Sequence, residues 1–137
     1  MKCEKLKLFT DGGARGNPGP AGIGAVIFNE EGKVAAEISE YIGEATNNQA
    51  EYKALIAGLT KAKELGAKEI EVFLDSELVV KQLNREYRVK DKQLAPLFVQ
   101  VYNISLGFKK IVFKHIFRGK NELADKLVNQ ALDKAGK

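Results

Sequence analysis

The hydrophobic spacing of this chain changes period near Asn48, and that change limits the folds open to it. Before it, residues 5–11, 23–29 and 33–42 read as strands, with Asn29-Glu30-Glu31-Gly32 as the turn between the last two. After it, Leu55, Ile56, Leu59, Ala62 and Leu65 follow helical spacing over 48–65, and Gly66 supplies a stop. Strand and helix then alternate. A strand is expected over 70–75, helices over 77–84 and 94–105, a strand over 111–117, and a last helix capped by Asn121 and reaching about Lys134. Pro96 is tolerated in the first turn of its helix. Three successive strands make an antiparallel meander, and the later alternation adds strands through helical crossovers. The expected fold is α/β, a five-stranded mixed sheet flanked by helices on both faces.

The 137 residues contain no internal repeat, low-complexity tract or linker, so one domain over 1–137 is expected. Cys3 is the one cysteine. That leaves no intramolecular disulfide and no thiolate zinc cage, and it fits a reducing compartment. No apolar run approaches a membrane span and the N-terminus lacks a signal-peptide core, so a cytoplasmic protein without a membrane partner is expected. The net charge of +4 is modest, but its distribution is uneven. Residues 109–120 hold Lys109, Lys110, Lys114, Arg118 and Lys120 with no acid; residues 81–92 hold Lys81, Arg85, Arg88, Lys90 and Lys92 against Glu86 and Asp91. Two basic segments suit a polyanion partner, although solvated surface lysines give the same composition.

Several carboxylates stand where apolar residues would be expected. Asp11 ends the first strand two residues after Phe9, and Asp75 ends the fourth two residues after Phe73. Side chains alternate along a strand, so each aspartate shares a face with its phenylalanine. If the two strands are adjacent and parallel, both carboxylates emerge at the C-terminal sheet edge, where open α/β sheets bind ligands. Glu51, four residues before Leu55, lies along the inward stripe of the long helix. Asp125 lies early in the last helix among Leu123, Ala124, Leu127 and Val128, at the border of its buried face. Complementing a helix dipole would account for Glu51 or Asp125 singly, but not for two aspartates at strand ends. Four such acids meeting would need protonation or a cation. Hard oxygen ligands without cysteine or a second histidine favour Mg²⁺ or Mn²⁺ over zinc. Gly12, Gly13, Gly16, Gly19 and Gly22 fit neither GxGxxG nor GxxxxGK[ST] and run into a strand. They read as a loose loop lying flat against a ligand beside Asp11.

Four motifs together resemble the type 1 ribonuclease H family over nearly the whole chain. They are Phe9-Thr10-Asp11-Gly12-Gly13 with Gly16-Asn17-Pro18-Gly19, Thr46-Asn47-Asn48-Gln49-Ala50-Glu51, Asp75-Ser76, and Asn121-Glu122-Leu123-Ala124-Asp125. The resemblance implies a ribonuclease H-like fold and hydrolysis of the RNA strand of RNA–DNA hybrids, leaving 5′-phosphate and 3′-hydroxyl ends. It implies that Asp11, Glu51, Asp75 and Asp125 hold two Mg²⁺ ions about 4 Å apart across the scissile phosphate, with Mn²⁺ as a substitute. It places Gly12, Asn17, Asn47 and Asn48 along the minor groove, where 2′-hydroxyls distinguish RNA from DNA. Helix capping is the alternative role of Asn47 and Asn48.

This chain departs from well-studied bacterial members. Glu77 stands where they carry glutamine, and Glu44 occupies a region often basic, so the DNA phosphate pocket rests on Thr46 and Asn17, helped by Arg15. The basic, tryptophan-rich protrusion is missing; there is no Trp, and only Asn84–Gln93 joins two helices. The resemblance is to compact variants, with substrate grip partly restored by Arg85, Arg88, Lys90 and Lys92. His115, ten residues before Asp125, reads as a packed strand residue sharing a face with Phe113 and Phe117 rather than as a catalytic group. Arg118 is expected to contact substrate. A monomer without an obligate protein partner is expected. A non-cleaving binding module on the same fold, another nuclease or recombinase, and a nuclease also cutting double-stranded RNA are the alternatives.

Overall fold

The antiparallel meander forms as expected, from β1 (Lys5–Ala14), β2 (Gly19–Phe28) and β3 (Val34–Ala45). The structure, a computed structural model, describes residues 4–137; Cys3 and the start of the N-terminal tail lie outside the described residues. Asn29 closes the β2–β3 turn by accepting hydrogen bonds from the backbone N–H of Glu31 and Lys33, both at 3.0 Å. The chain then enters α1 (Asn47–Glu64), crosses to β4 (Glu69–Leu74), and continues through α2 (Glu77–Leu83), α3 (Ala95–Ser105), β5 (Lys110–His115) and α4 (Glu122–Lys134). The sheet order is β3-β2-β1-β4-β5, with β4 parallel to both β1 and β5. The expected five-stranded mixed sheet with helices on both faces is therefore the observed one.

Alternation along the strands decides what each face buries. Leu6, Leu8, Ile27, Val72 and Leu74 point toward α1, where Tyr52, Leu55 and Leu59 meet them; all are at most 3% exposed. Each such side chain contributes about 1.5–3 kcal/mol of burial. The Tyr52 hydroxyl keeps a partner by donating to Gln82 Oε1 at 2.7 Å, which ties α1 to α2. On the opposite face Phe9 pairs in register with Phe73 and their rings stack at 4.7 Å, as the alternation argument requires.

The glycine-rich stretch is not a loose loop. β1 runs three residues past Asp11 and β2 starts at Gly19, so only residues 15–18 turn between them. The glycines have another cause, which is how closely helices lie on these strands. A Cβ at Gly12 would stand 2.6 Å from the Glu51 backbone N and closer still to the Ala50 carbonyl. A Cβ at Gly24 would meet Leu127 Cβ and Val128 N at 3.0 Å and press on the Ala124 carbonyl. The missing side chains let α1 sit on β1 and α4 on β2. That spacing, rather than an apposed ligand, requires glycine at these two positions.

Gly24→Ala should accordingly lower the unfolding free energy by about 1–3 kcal/mol, the usual cost of overpacking, because backbone rather than a flexible side chain must move. Urea denaturation measures it. An unchanged midpoint would show that α4 does not lie this close to β2.

Candidate active site

Asp11 does not end its strand, contrary to the expectation, but it does end a ladder. β1 and β4 pair from Lys5↔Glu69 to Thr10↔Leu74, so Asp11 and Asp75 are the first residues beyond their shared pairing. Both emerge at the C-terminal edge of two parallel strands. α1 brings Glu51 to the same point. Thr46 is its N-cap: the hydroxyl accepts from Gln49 N at 3.1 Å, and the Gln49 side chain returns a bond to Thr46 N at 2.8 Å. Glu51 then faces the sheet over Gly12, 6% exposed.

Carboxylate oxygens of Asp11, Glu51 and Asp75 lie within 4.8 Å of one another. Asp125, half-buried in the first turn of α4, lines the same cleft outside that tight group. Among the described residues, no Lys or Arg is ion-paired with any of the four. Burial pushes the Asp11 carboxyl up to about 7, and the charge of Asp75 adds to the shift. Burial, then the charge of Asp11, raises Glu51 well above the usual range. Glu51 Oε2 is buried without a hydrogen-bond partner. Three converging hard oxygen donors, one of them orphaned, with no neutralising cation from the protein, fit a divalent ion such as Mg²⁺ or Mn²⁺.

The remaining site residues divide. Gly12, Asn47, Asn48 and Arg118 line the cleft. Asn47 is not the helix cap; its Oδ1 accepts from Ala14 N at 2.9 Å, and its own N–H donates to Asn17 Oδ1 at 3.0 Å. Asn17 and Thr46 do not line the cleft, and both have positioning work, pinning the 15–18 turn to α1 and capping α1. Arg15 reaches α4 instead, in a 2.8 Å ion pair with Asp133. Glu77 is paired with Lys81 at 3.0 Å, which offsets its charge near the cleft.

Two basic-segment expectations need correction. Lys109 and Lys110 stand at the start of β5, the opposite end from the cleft, and Lys114 is engaged with Glu71 at 2.7 Å. Six strand residues span about 20 Å, and of that segment Arg118 lines the cleft whereas Lys120 lines a separate hollow with Phe9 and Phe28. His115 is exposed rather than packed, its ring edge-on to Phe117 at 5.9 Å, and it does not line the cleft.

Asn121 stands at the N-cap of α4, as expected, but its side chain makes no cap bond. It is 1% exposed, and its Nδ2 donates to the Thr10 carbonyl at 2.8 Å and to Asp75 Oδ2 at 3.0 Å. It thereby fixes Asp75 against β1. Asn129 similarly donates to the Asp125 carbonyl at 3.1 Å. The signal for Asn129 was in the sequence: it follows Asp125 by four residues, on the same face of the helix.

A family model described as reverse transcriptase-like matches residues 9–131. A bifunctional protein of Mycobacterium tuberculosis is 46% identical over 96% of this chain, which spans only 36% of that relative's length. A ribonuclease HI of Halobacterium salinarum is 44% identical over 96% of this chain and 66% of its own. A crystal structure of a ribonuclease H1 in complex with an RNA/DNA hybrid superposes with a TM-score of 0.91 at 49% identity, covering 96% of this chain and 99% of that one.

The raised Asp11 carboxyl sets a pH dependence. Between the ordinary aspartate value of 3.8 and about 7, the folded protein holds more protons than the unfolded chain. Metal-free stability therefore falls as pH rises through that window. In EDTA, thermal melting should drop across it more steeply for the wild type than for Asp11→Asn, leaving the variant the more stable above pH 7. Parallel curves would show that Asp11 ionises as easily in the fold as outside it.

Proposed function

This chain belongs to the ribonuclease H family, and from that premise we propose that it is a metal-dependent endonuclease hydrolysing the RNA strand of RNA–DNA hybrids. The observation that carries this reading is the convergence of Asp11, Glu51 and Asp75 within 4.8 Å at the C-terminal sheet edge, in a cleft also lined by Asn47, Asn48 and Arg118. The products would carry 5′-phosphate and 3′-hydroxyl ends. Two Mg²⁺ ions held by Asp11, Glu51, Asp75 and Asp125, with Mn²⁺ as substitute, would activate water and neutralise charge developing on the scissile phosphate.

The chain's own residues do the rest. Asn121 keeps Asp75 turned toward Asp11, and Gly12 lets Glu51 approach both. The Gly12 N–H donates to Asp11 Oδ1 at 3.0 Å, orienting that carboxylate. The amide of Asn48 and the Nδ2 of Asn47 can meet 2′-hydroxyls, because amides offer both donor and acceptor. Asn17 Nδ2 and the Thr46 hydroxyl proton are left to donate to a phosphate of the DNA strand, since the bonds above use their acceptor oxygens. Arg118 supplies positive charge at the rim. A non-cleaving binding module would have no use for Asp11, Asp75 and Asp125 in one cleft with an orphaned Glu51 oxygen.

Incubation with labelled hybrid, RNA duplex, DNA duplex and single-stranded RNA, in Mg²⁺, Mn²⁺ or EDTA, tests the reading. Cleavage should be confined to RNA, greatest on the hybrid, and absent in EDTA or in Asp75→Asn. Binding of hybrid without cleavage in every metal would favour the binding module, and equal cutting of RNA duplex would remove the hybrid preference.

Arg118 and His115 separate cleanly by position. Arg118→Ala should weaken hybrid cleavage by more than about tenfold, whereas His115→Ala should stay within about tenfold of wild type, below the 10²–10⁴ typical of a general acid–base group. Steady-state kinetics on the two variants decide it. A hundredfold loss at His115 with normal melting, beside an unaffected Arg118 variant, would reverse the assignment.

A further inference from the structure

Lys109 and Lys110 stand at the end of the sheet away from the acid cluster, and among the described residues neither is ion-paired. Lys110 opens β5, an edge strand that pairs only with β4. On the face away from α1, Lys5, Glu69 and Lys110 stand in register across β1, β4 and β5, so charge alternates along the row. Glu69 is engaged by Lys5 at 4.0 Å and, one row on, Glu71 by Lys114 at 2.7 Å. Lys110 ends its row with a positive charge that faces the open edge.

The backbone of that edge is open as well. In a parallel ladder alternate residues turn both N–H and C=O to the same neighbour. Lys110 N donates to the Lys68 carbonyl at 3.2 Å and Ile116 N to the Leu74 carbonyl at 3.0 Å. Lys110, Val112 and Lys114 therefore face β4, and Ile111 and Phe113 face outward. The Phe113 carbonyl accepts from Asn84 Nδ2 at 3.3 Å. Among the described residues, the N–H groups of Ile111 and Phe113 and the Ile111 carbonyl have no partner. Beside them lies a hollow of about 290 Å³ between β5, α3 and the end of α2, lined by Leu83, Phe98, Val101, Leu106, Ile111 and Phe113 among others. Leu106 is 67% exposed.

We propose that the β5 edge binds an extended, acidic segment of a partner protein as a sixth strand. Such a strand lies about 4.8 Å from β5 and continues its pleat. Its residues level with Ile111 and Phe113 turn into the hollow and are apolar. Its residue level with Lys110 turns to the opposite face, where an acid extends the row of Lys5, Glu69 and Lys110. A second copy of this chain suits the edge poorly, because residues 109–120 hold no acid and lysines on an edge oppose like pairing. Nucleic acid suits it poorly too, because the one cation lining the hollow, Arg85, already lies over the Tyr102 ring at 5.0 Å. The site needs no part of the ribonuclease H reading.

Amide hydrogen exchange followed by NMR on the isotope-labelled protein tests it, with a capped pentapeptide alternating valine with glutamate as the probe. In the free protein the amides of Val112 and Lys114 should exchange slowly and those of Ile111 and Phe113 fast. The peptide at millimolar concentration should slow Ile111 and Phe113; the same residues arranged in two blocks should not. Lys110→Glu should weaken the acidic peptide about fivefold or more and favour a peptide with lysine in place of glutamate, since a cross-strand attraction becomes a repulsion. Lys110→Ala should lose the preference between the two peptides and keep hybrid cleavage at the wild-type level. Slow exchange at Val112 and Lys114 in each variant shows that β5 is still paired. No slowing at Ile111 and Phe113, or slowing that ignores the charge at position 110, overturns the proposal. So does slowing by RNA–DNA hybrid or by protein concentration alone, which would make the edge a nucleic-acid contact or a self-interface.

Discussion

Repulsion among Asp11, Glu51 and Asp75 is the constraint around which the rest of the molecule is arranged. Three carboxylates within 4.8 Å, two of them buried, resist folding unless protons or cations neutralise them. The fold holds them there nonetheless. Parallel pairing of β1 with β4 delivers the two aspartates to one edge, and the bare backbone of Gly12 lets α1 lower Glu51 onto them. The amide of Asn121 locks Asp75 to the Thr10 carbonyl. Strand register, helix spacing and a buried amide all oppose the relaxation that electrostatics alone would favour.

Much of this was legible before any coordinates. Alternation along two short strands placed Asp11 with Phe9 and Asp75 with Phe73, and the stacked rings are where that argument put them. The inward position of Glu51 followed from its spacing to Leu55. The glycines were harder to read, because a glycine needed for flexibility and one needed for close approach look the same in a sequence; only the helix lying on Gly12 and Gly24 tells them apart. Asn121 was read only in part for a related reason: it does stand at the N-cap of α4, but its side chain works elsewhere. Asparagine before a helix is commonly a cap, and its long-range bonds to β1 and Asp75 depend on tertiary contacts that no local pattern encodes.

Charge was the least legible property. A run of lysines says how many cations a segment carries but not which end of a strand they occupy. β5 separates Lys109 and Lys110 from the acid cluster by its full length, and Glu71 engages Lys114. Of the two segments, Arg118 alone lines the cleft; Arg85 and Arg88 line a separate groove beside α3. The chain spans about a third of the length of its mycobacterial relative.

The central claim is that the acid cluster is a cation site held open by the fold. Anomalous diffraction from crystals soaked in Mn²⁺ tests it most directly. The account predicts a manganese peak bonded to carboxylate oxygens of Asp11 and at least one of Glu51 and Asp75, lost in crystals of Asp11→Asn. A cluster that stays free of manganese at neutral pH, with its carboxylates sharing protons or turned apart into solvent, would contradict it.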